Sequence, residues 1–461
     1  MKRLTYCPRG NREGSTLVLA LIMIVMLSAL AVAMASMSGA NVQVAQNQCK
    51  ADNVRASAES GLEVMRYWMS KVAMSGNIPQ NERFNRLFDL LQSQVTANLV
   101  PVLSGSTITI SDVPLNSRGQ TFTAVLTKID DNNVRLDVTG HDGTISRTIR
   151  SNYEFQEQAD TVFDFGVASK GPLVLSGSVE VEGANIDIES NAYIESLGTC
   201  LALSISGNSQ IAGSVKIVNP LAAPFLGPKA GVGGATGAGA REHIEIGVAP
   251  AQFPEMNPQP FVAYAEAHGT AITAAEANQS NMTFTNPIIR ANTNPSFASG
   301  TVLKGVIYVE AQNTVTFSGH VTVYGIIVTN GSPTDDLGTN KLDFRGNVSS
   351  YSVETLPASE FGEWLPQQKG TFIMAPGFRA SFGGSFAAES GAIAANGIEL
   401  HGSAGGTING SIINYADNDM NLQGNTDLQF NRSGLTEVPA GFVPQIILRY
   451  DPSSYWEVPP L

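Results

Sequence analysis

Gly305-Val306-Ile307-Tyr308-Val309 returns 20 residues later as Gly325-Ile326-Ile327-Val328, and Gly391-Ala392-Ile393-Ala394 returns 19 residues later as Gly410-Ser411-Ile412-Ile413. Each copy begins with Gly, admits any residue next, and then places Ile. Apolar runs this short cannot bury a face alone. A unit near twenty residues is the size at which a chain coils into the stacked rungs of a parallel β-helix. Val315, Phe317, Val321 and Val323 alternate between the first two copies, which predicts a shared core along the stack. Further upstream, Ser176-Gly177-Ser178-Val179-Glu180-Val181-Glu182-Gly183 is echoed 30 residues on by Ser206-Gly207-Asn208-Ser209-Gln210-Ile211-Ala212-Gly213. A β-sandwich is the alternative. It needs hairpin turns every 8 to 12 residues or so, and clean Asn-Gly hairpins are scarce here.

Working outward, the Gly-punctuated β pattern occupies residues 158–461, with two expected interruptions. Residues 219–301 carry Pro220, Pro224, Pro228, a Gly-rich run at 231–239, and Pro250, Pro254, Pro258 and Pro260. They read as a lateral excursion holding one short helix within 261–277. Residues 335–368, with Trp364, read as a second insertion. Upstream, 76–157 holds a helix at 80–99, with Phe84, Leu87, Phe88, Leu91 and Val95 on one face, and Pro101 beyond it. The period then changes to two in Thr107-Ile108-Thr109-Ile110, in 122–126, in 134–138 and in 144–149, as in a small antiparallel sheet. Asp130-Asp131-Asn132-Asn133 and His141-Asp142-Gly143 supply turns.

The whole chain has 461 residues, enough for two to four folding units. Its 27 Lys and Arg against 40 Asp and Glu give a net charge of -13, a poor balance for gripping phosphate backbones, so nucleic acid is not an expected partner. Charged residues are 15% of the chain and Gly numbers 45, which suits turn-rich β structure. Cys7, Cys49 and Cys200 are too few and too scattered for a disulfide framework or a zinc knuckle.

The first fifty residues have a different character. No Asp, Glu, Lys, Arg or His occurs in 15–49, and 17–37 is apolar apart from Ser28 and Ser36 among small and aliphatic residues. A bilayer core needs about 20 helical residues, so one membrane span is expected. Lys2, Arg3, Arg9 and Arg12 precede it against a single Glu13. The positive-inside rule places the N-terminus in the cytoplasm and exports the rest. A cleaved signal peptide is the competing reading, with small residues at 31–38 as its cleavage region, but its apolar core would run only about 7 to 15 residues. Beyond the span, Val54, Ala58, Leu62, Met65, Met69 and Val72 recur at three and four residues, so the helix continues out of the bilayer to a stop at Gly76-Asn77-Ile78-Pro79.

Arg9-Gly10-Asn11-Arg12-Glu13-Gly14-Ser15-Thr16-Leu17-Val18-Leu19, followed by Ala56-Ser57-Ala58-Glu59-Ser60-Gly61-Leu62-Glu63, resembles the start of a PilX-type minor pilin of type IV pili, with the tip pseudopilins of type II secretion as relatives. The resemblance covers roughly the first 75 residues. It implies a prepilin leader at 1–14, cleavage by a prepilin peptidase between Gly14 and Ser15, N-methylation of the new terminus, and a membrane and pilin helix at 15–75. It further implies assembly with other pilins, an inner-membrane origin, and display in extracellular or periplasmic filaments. Leu17, Leu19, Leu21, Val25, Leu30, Met37 and Val44 are the helix residues expected to meet membrane or filament. Leu19 stands where major pilins carry Glu and Ser15 where they carry an aromatic, which favours a minor or priming subunit over a bulk one.

Motifs of chemistry are sparse. Gly231-Val232-Gly233-Gly234-Ala235-Thr236-Gly237 lacks the strand, helix and acidic residue of a dinucleotide loop and reads as a flexible loop. No Gly-Lys, Gly-x-Ser-x-Gly, His-Glu-x-x-His or Cys-x-x-Cys occurs. His243 and Glu245 are two possible metal ligands where three or four must converge, so an ordinary polar strand is the plainer reading. Asp417-Asn418-Asp419-Met420-Asn421 alternates oxygens as calcium loops do but lacks their Gly and Glu, and reads as a solvated turn. No cofactor is expected, calcium being the one ion worth testing. Cys49 is expected to be a small buried residue of the helix. The resulting expectation is a structural, non-enzymatic filament subunit of mainly β fold. The alternative is a membrane-anchored surface β-helix that binds or cleaves glycan, its surface ligand unknown.

Overall fold

The computed structural model describes residues 13–95, 99–116, 119–142, 145–388, 391–432 and 438–458. The chain divides into two compact units. One takes in the N-terminal helix to Met74, Ile78–Gln156 and the segment from Ile447; the other takes in Ser75–Asn77 and Glu157–Ile446.

In the first unit a single helix, α1, runs Glu13–Ser70. The apolar stripe expected beyond the span is buried at every position, from Val54 through Val72. It lies on a seven-stranded sheet whose strands include Thr107–Pro114, Thr121–Lys128, Asn133–Asp142 and Ile145–Gln158, joined antiparallel in chain order. Alternation explains the fit: Ile108, Ile110, Phe122, Ala124, Leu126, Val134, Leu136 and Val138 point inward, and their neighbours outward. Two glycines permit the close approach. A Cβ on Gly140 would lie 2.3 Å from the Val54 carbonyl oxygen, and one on Gly61 would lie 2.5 Å from the Phe122 ring. The Asp130 turn is tied by its own carboxylate, which accepts from the Asn132 and Asn133 backbone N–H groups at 2.8 Å each.

Three details differ from the sequence reading. α1 stops at Ser70, ahead of Gly76, because Ala73–Ser75 is drawn into the edge of the sheet. The second helix, α2, is shorter than 80–99: it spans Arg83–Gln94 after a 3-10 turn, with Phe84, Leu87 and Leu91 buried and Phe88 only half-buried. The third concerns the chain's end. Gln445–Val458 is a strand seated between Ala73–Ser75 and Ile145–Gln158. The β-helical unit therefore closes at Ile446 and does not run to 461.

The second unit is a parallel β-helix with three faces, which removes the sandwich alternative. The Gly-x-Ile copies occupy equivalent places. Gly305 pairs with Gly325 and Ile307 with Ile327; Ile327 pairs with Ile373, Ile373 with Ile393, and Ile393 with Ile412. Ile marks the inward position, and Gly turns the corner before it. Gly305 sits at φ 88° and Gly325 at φ 151°, and a Cβ on Gly325 would fall 1.9 Å from the Gly305 carbonyl oxygen. Only glycine stacks on glycine there. A second face carries an interior phenyl column, Phe297, Phe317, Phe344 and Phe382, with successive ring centroids 5.5, 4.4 and 4.6 Å apart.

The rungs do not stack in chain order. The coil starts in its own middle at Val167–Ser169 and climbs through Ala192–Ile194 and Val215–Ile217 to Ile244–Ile246. The chain then returns along the outside as a strap that includes helix α3, Gln259–His268. It re-enters at Thr270–Ala271 at the opposite end and winds back until Ile412–Asn414 pairs with Val167–Ser169. The 30-residue echo is real register within the first stack, where Glu180 pairs with Gln210 and Leu173 with Leu203.

Both expected insertions are corrected by this path. Within 219–301, Phe225–Leu226, Gly231–Val232, Ile244–Ile246, Thr283–Thr285 and Pro287–Ile289 are rung strands, so only the strap is an excursion. Within 335–368, Lys341–Phe344 and Val348–Tyr351 continue the coil, and the excursions are the loops on either side. Pro220, Pro224 and Pro228 lie between successive rung strands, whereas Pro250, Pro254, Pro258 and Pro260 belong to the strap.

One face is apolar outside as well as inside. Val306, Tyr308, Ile326, Val328 and Met374 point away from the core yet are buried beneath Phe261 and Ala265 of α3 and beneath Val353, Leu356, Phe361 and Leu365. This double burial explains why these strands read as unbroken apolar runs where the others alternate. Polar contacts fix the cover: Tyr264 donates to the Phe361 carbonyl at 2.7 Å, and Arg290 joins Glu266 and Glu310 at 2.6 and 2.7 Å.

Candidate functional site

The feature with the clearest chemistry is the N-terminal half of α1. At 1.5 Å per residue, 17–37 spans roughly 30 Å, the thickness of a bilayer core. The helix is long and apolar enough to cross a membrane, with a mean hydropathy of 2.9 in its most apolar window. Leu17, Leu19, Leu21, Val25, Leu30 and Met37 lie on it and all are exposed. Val44 lies beyond the apolar core and is exposed too. Exposure continues on every side to Lys50, and packing begins only near Val54.

Gly14 and Ser15 fall in helical backbone at the start of α1. The leader residues Lys2, Arg3, Arg9 and Arg12, together with Cys7, lie outside the described residues. Cys49 corrects its expectation: it is exposed and free, because none of the described residues packs against α1 at that height. Cys200 is likewise exposed and free.

Two clefts of the β-helical unit gather polar side chains. One, of about 990 Å³, is lined by Phe165, Tyr193, Lys216, Glu245, Ile186 and Arg432 among others. The other, about 750 Å³, gathers Glu195, Glu399, Asp417, Asp419, Lys170 and Arg379. The Asp417 turn thus faces both carboxylates and cations. Among the described residues no three His, Cys, Asp or Glu side chains converge as metal ligands. Glu245 pairs in register with Lys216, and His243 ends a 3-10 turn beside Gly233, so the two do not share a site.

A third feature is an acidic strip on the uncovered face. Glu180 pairs in register with Asp427, and burial, then the carboxylates of Glu180, Asp427 and Asp187, hold the Glu182 carboxyl above its ordinary range. Such a strip repels polyanions. Sequence reasoning missed it because the residues lie some 245 positions apart in the chain and meet only where the last rung stacks on the first.

No protein-family model matches the chain, and no curated protein matches it. Two solved structures are similar in outline. The competence-associated pilin ComZ from Thermus thermophilus superposes over 89% of this chain and 97% of its own, at 13% identity and a TM-score of 0.27. The ice-binding protein from the Antarctic ascomycete Antarctomyces psychrotrophicus superposes over 59% of this chain and 93% of its own, at 12% identity and a TM-score of 0.18. Neither superposition is close enough to bear on fold or function.

Proposed function

We propose that the protein is a structural subunit, a minor pilin or pseudopilin, of a type IV pilus or type II secretion-like filament. The observation that carries this reading is the uncharged, exposed stretch of α1 past the apolar core. A simple anchor needs only about 20 apolar residues. An exposed helix beyond the bilayer would normally be ringed with charge, yet 38–49 carries none and exposes Val42 and Val44. That surface suits burial among neighbouring helices, where an unpartnered charge is expensive. The sheet on which α1 rests holds the helix to the rest of the chain, and the β-helical unit is what the filament would display. On this reading the chain is made as a precursor, is cut after Gly14, and works without a cofactor or catalysis.

The experiment is to place Lys at Val44 and to follow two readouts. Membrane insertion should persist, because the position lies beyond the apolar core, and the protein should vanish from sheared filaments. The mature terminus of wild-type protein should be Ser15 by mass spectrometry. Recovery of Val44→Lys in filaments at the wild-type level, or a wild type never found there, makes α1 an anchor only. The β-helix would then be a membrane-tethered surface protein, with glycan as the ligand class to test.

A further inference from the structure

The β-helical unit is entered and left in the middle of its own stack, and a buried carboxylate lies at that place. Asp160 is 2% exposed, and neither of its oxygens has a hydrogen-bond partner among the described residues. It precedes the 3-10 turn Thr161–Asp164, whose Val162 and Phe163 sink into an apolar cluster with Phe442, Tyr415 and Ile413. Phe163 meets the Phe442 ring edge-on at 5.2 Å. The Arg432 guanidinium donates to the Phe163 and Asp164 carbonyls and not to Asp160. The entry segment is therefore clamped by groups that belong to the exit segment.

We propose that Asp160 is a pH-responsive latch at this closure: protonated, it lets the entry and exit segments pack; charged, it loosens them. The groups around it leave the proton as the available partner. Gln445, on the exit strand, turns its amide toward the carboxylate and partly offsets its burial without meeting hydrogen-bond geometry. Tyr415 faces it from the last rung, but burial, with Asp160 adding to it, keeps that phenol protonated, and its hydroxyl already donates to the Pro254 carbonyl at 2.6 Å. Lys170 lies over the Tyr415 ring at 5.6 Å. On its own segment, Asp164 and Glu157 are the other charges, and both are acidic.

Burial pushes the Asp160 carboxyl up to about 6 from an ordinary 3.8. The sign follows from proton counting. Between about pH 4 and 6 the folded state holds a proton that the unfolded state has released, so stability falls as pH rises through that window and stays low above it. A shift of about two units corresponds to about a hundredfold in the closed-to-open ratio.

The test is amide hydrogen exchange on the full-length protein in detergent micelles at pH 5 and pH 7.5, corrected for intrinsic exchange. Segments 160–168 and 438–446 in the wild type should lose about tenfold of protection at the higher pH, the part of the hundredfold that remains above pH 5, and Asp160→Asn should be equally protected at both. Should Asp160→Asn fail to fold, Asp160→Ser takes its place. Wild-type protection that does not change between the two pH values overturns the latch, as does a variant that keeps the wild-type pH dependence.

Discussion

Replacing Gly325 by Ala tests the physical meaning of the repeat. Gly325 lies at φ 151°, and the added Cβ would stand 1.9 Å from the Gly305 carbonyl oxygen, where ordinary contact begins at 3.4 Å. The backbone penalty for an L residue there is about 1 to 3 kcal/mol. The collision is with backbone, so the rungs must part by over an ångström and weaken ladder bonds. Overpacking of this kind adds roughly 1 to 3 kcal/mol. The sum is about 4 kcal/mol, a large share of the 5 to 15 kcal/mol that holds a typical domain. Gly362 provides the control: it sits at φ 70° with nothing within 4 Å of its would-be Cβ, so Gly362→Ala measures a backbone penalty alone, about 1 to 3 kcal/mol. Urea unfolding of both variants, followed by circular dichroism, gives the difference. If Gly325→Ala falls within about 0.5 kcal/mol of Gly362→Ala, stacking does not explain the glycine and the reasoning fails.

Ile327→Asp should abolish cooperative folding of the β-helical unit, because the side chain is fully buried between Ile307 and Ile373 and a charge there has no partner; a normal melting curve would contradict the dry core. Gly140→Ala should cost about 2 kcal/mol and release the 54–72 part of α1 to faster amide exchange, since its Cβ would meet helix backbone at Val54 and Ala58. Gly39→Ala, with nothing within 4 Å, should leave folding intact and stiffen the helix by up to about 1 kcal/mol.

Local periodicity made α1, its buried stripe from Val54 to Val72, the antiparallel strands and the Gly-x-Ile rungs legible in the sequence, because each is a relation among residues a few or about twenty positions apart. The stretch long and apolar enough to cross a membrane was legible for the same reason. Less visible was the exposure of Cys49: a small residue in an uncharged stretch of helix reads as buried until it is known that the described residues supply nothing to cover it. Three further features were settled only in three dimensions. Gln445–Val458 has the alternation of a strand in Ile446, Leu448 and Tyr450, but nothing local says which sheet it joins. The covered face needed α3 and the 352–369 excursion to be in place before Val306, Ile326 and Met374 had anything to pack against. The stacking order of the rungs is the third. Every parallel rung offers the same row of N–H and C=O groups and a similar Ile or Val, so a rung edge carries no label for its neighbour. That Val167 meets Ile412 across 245 residues, and that Asp160 is buried at that seam, was decided by where the strap could return the chain and by which edges were then left to pair.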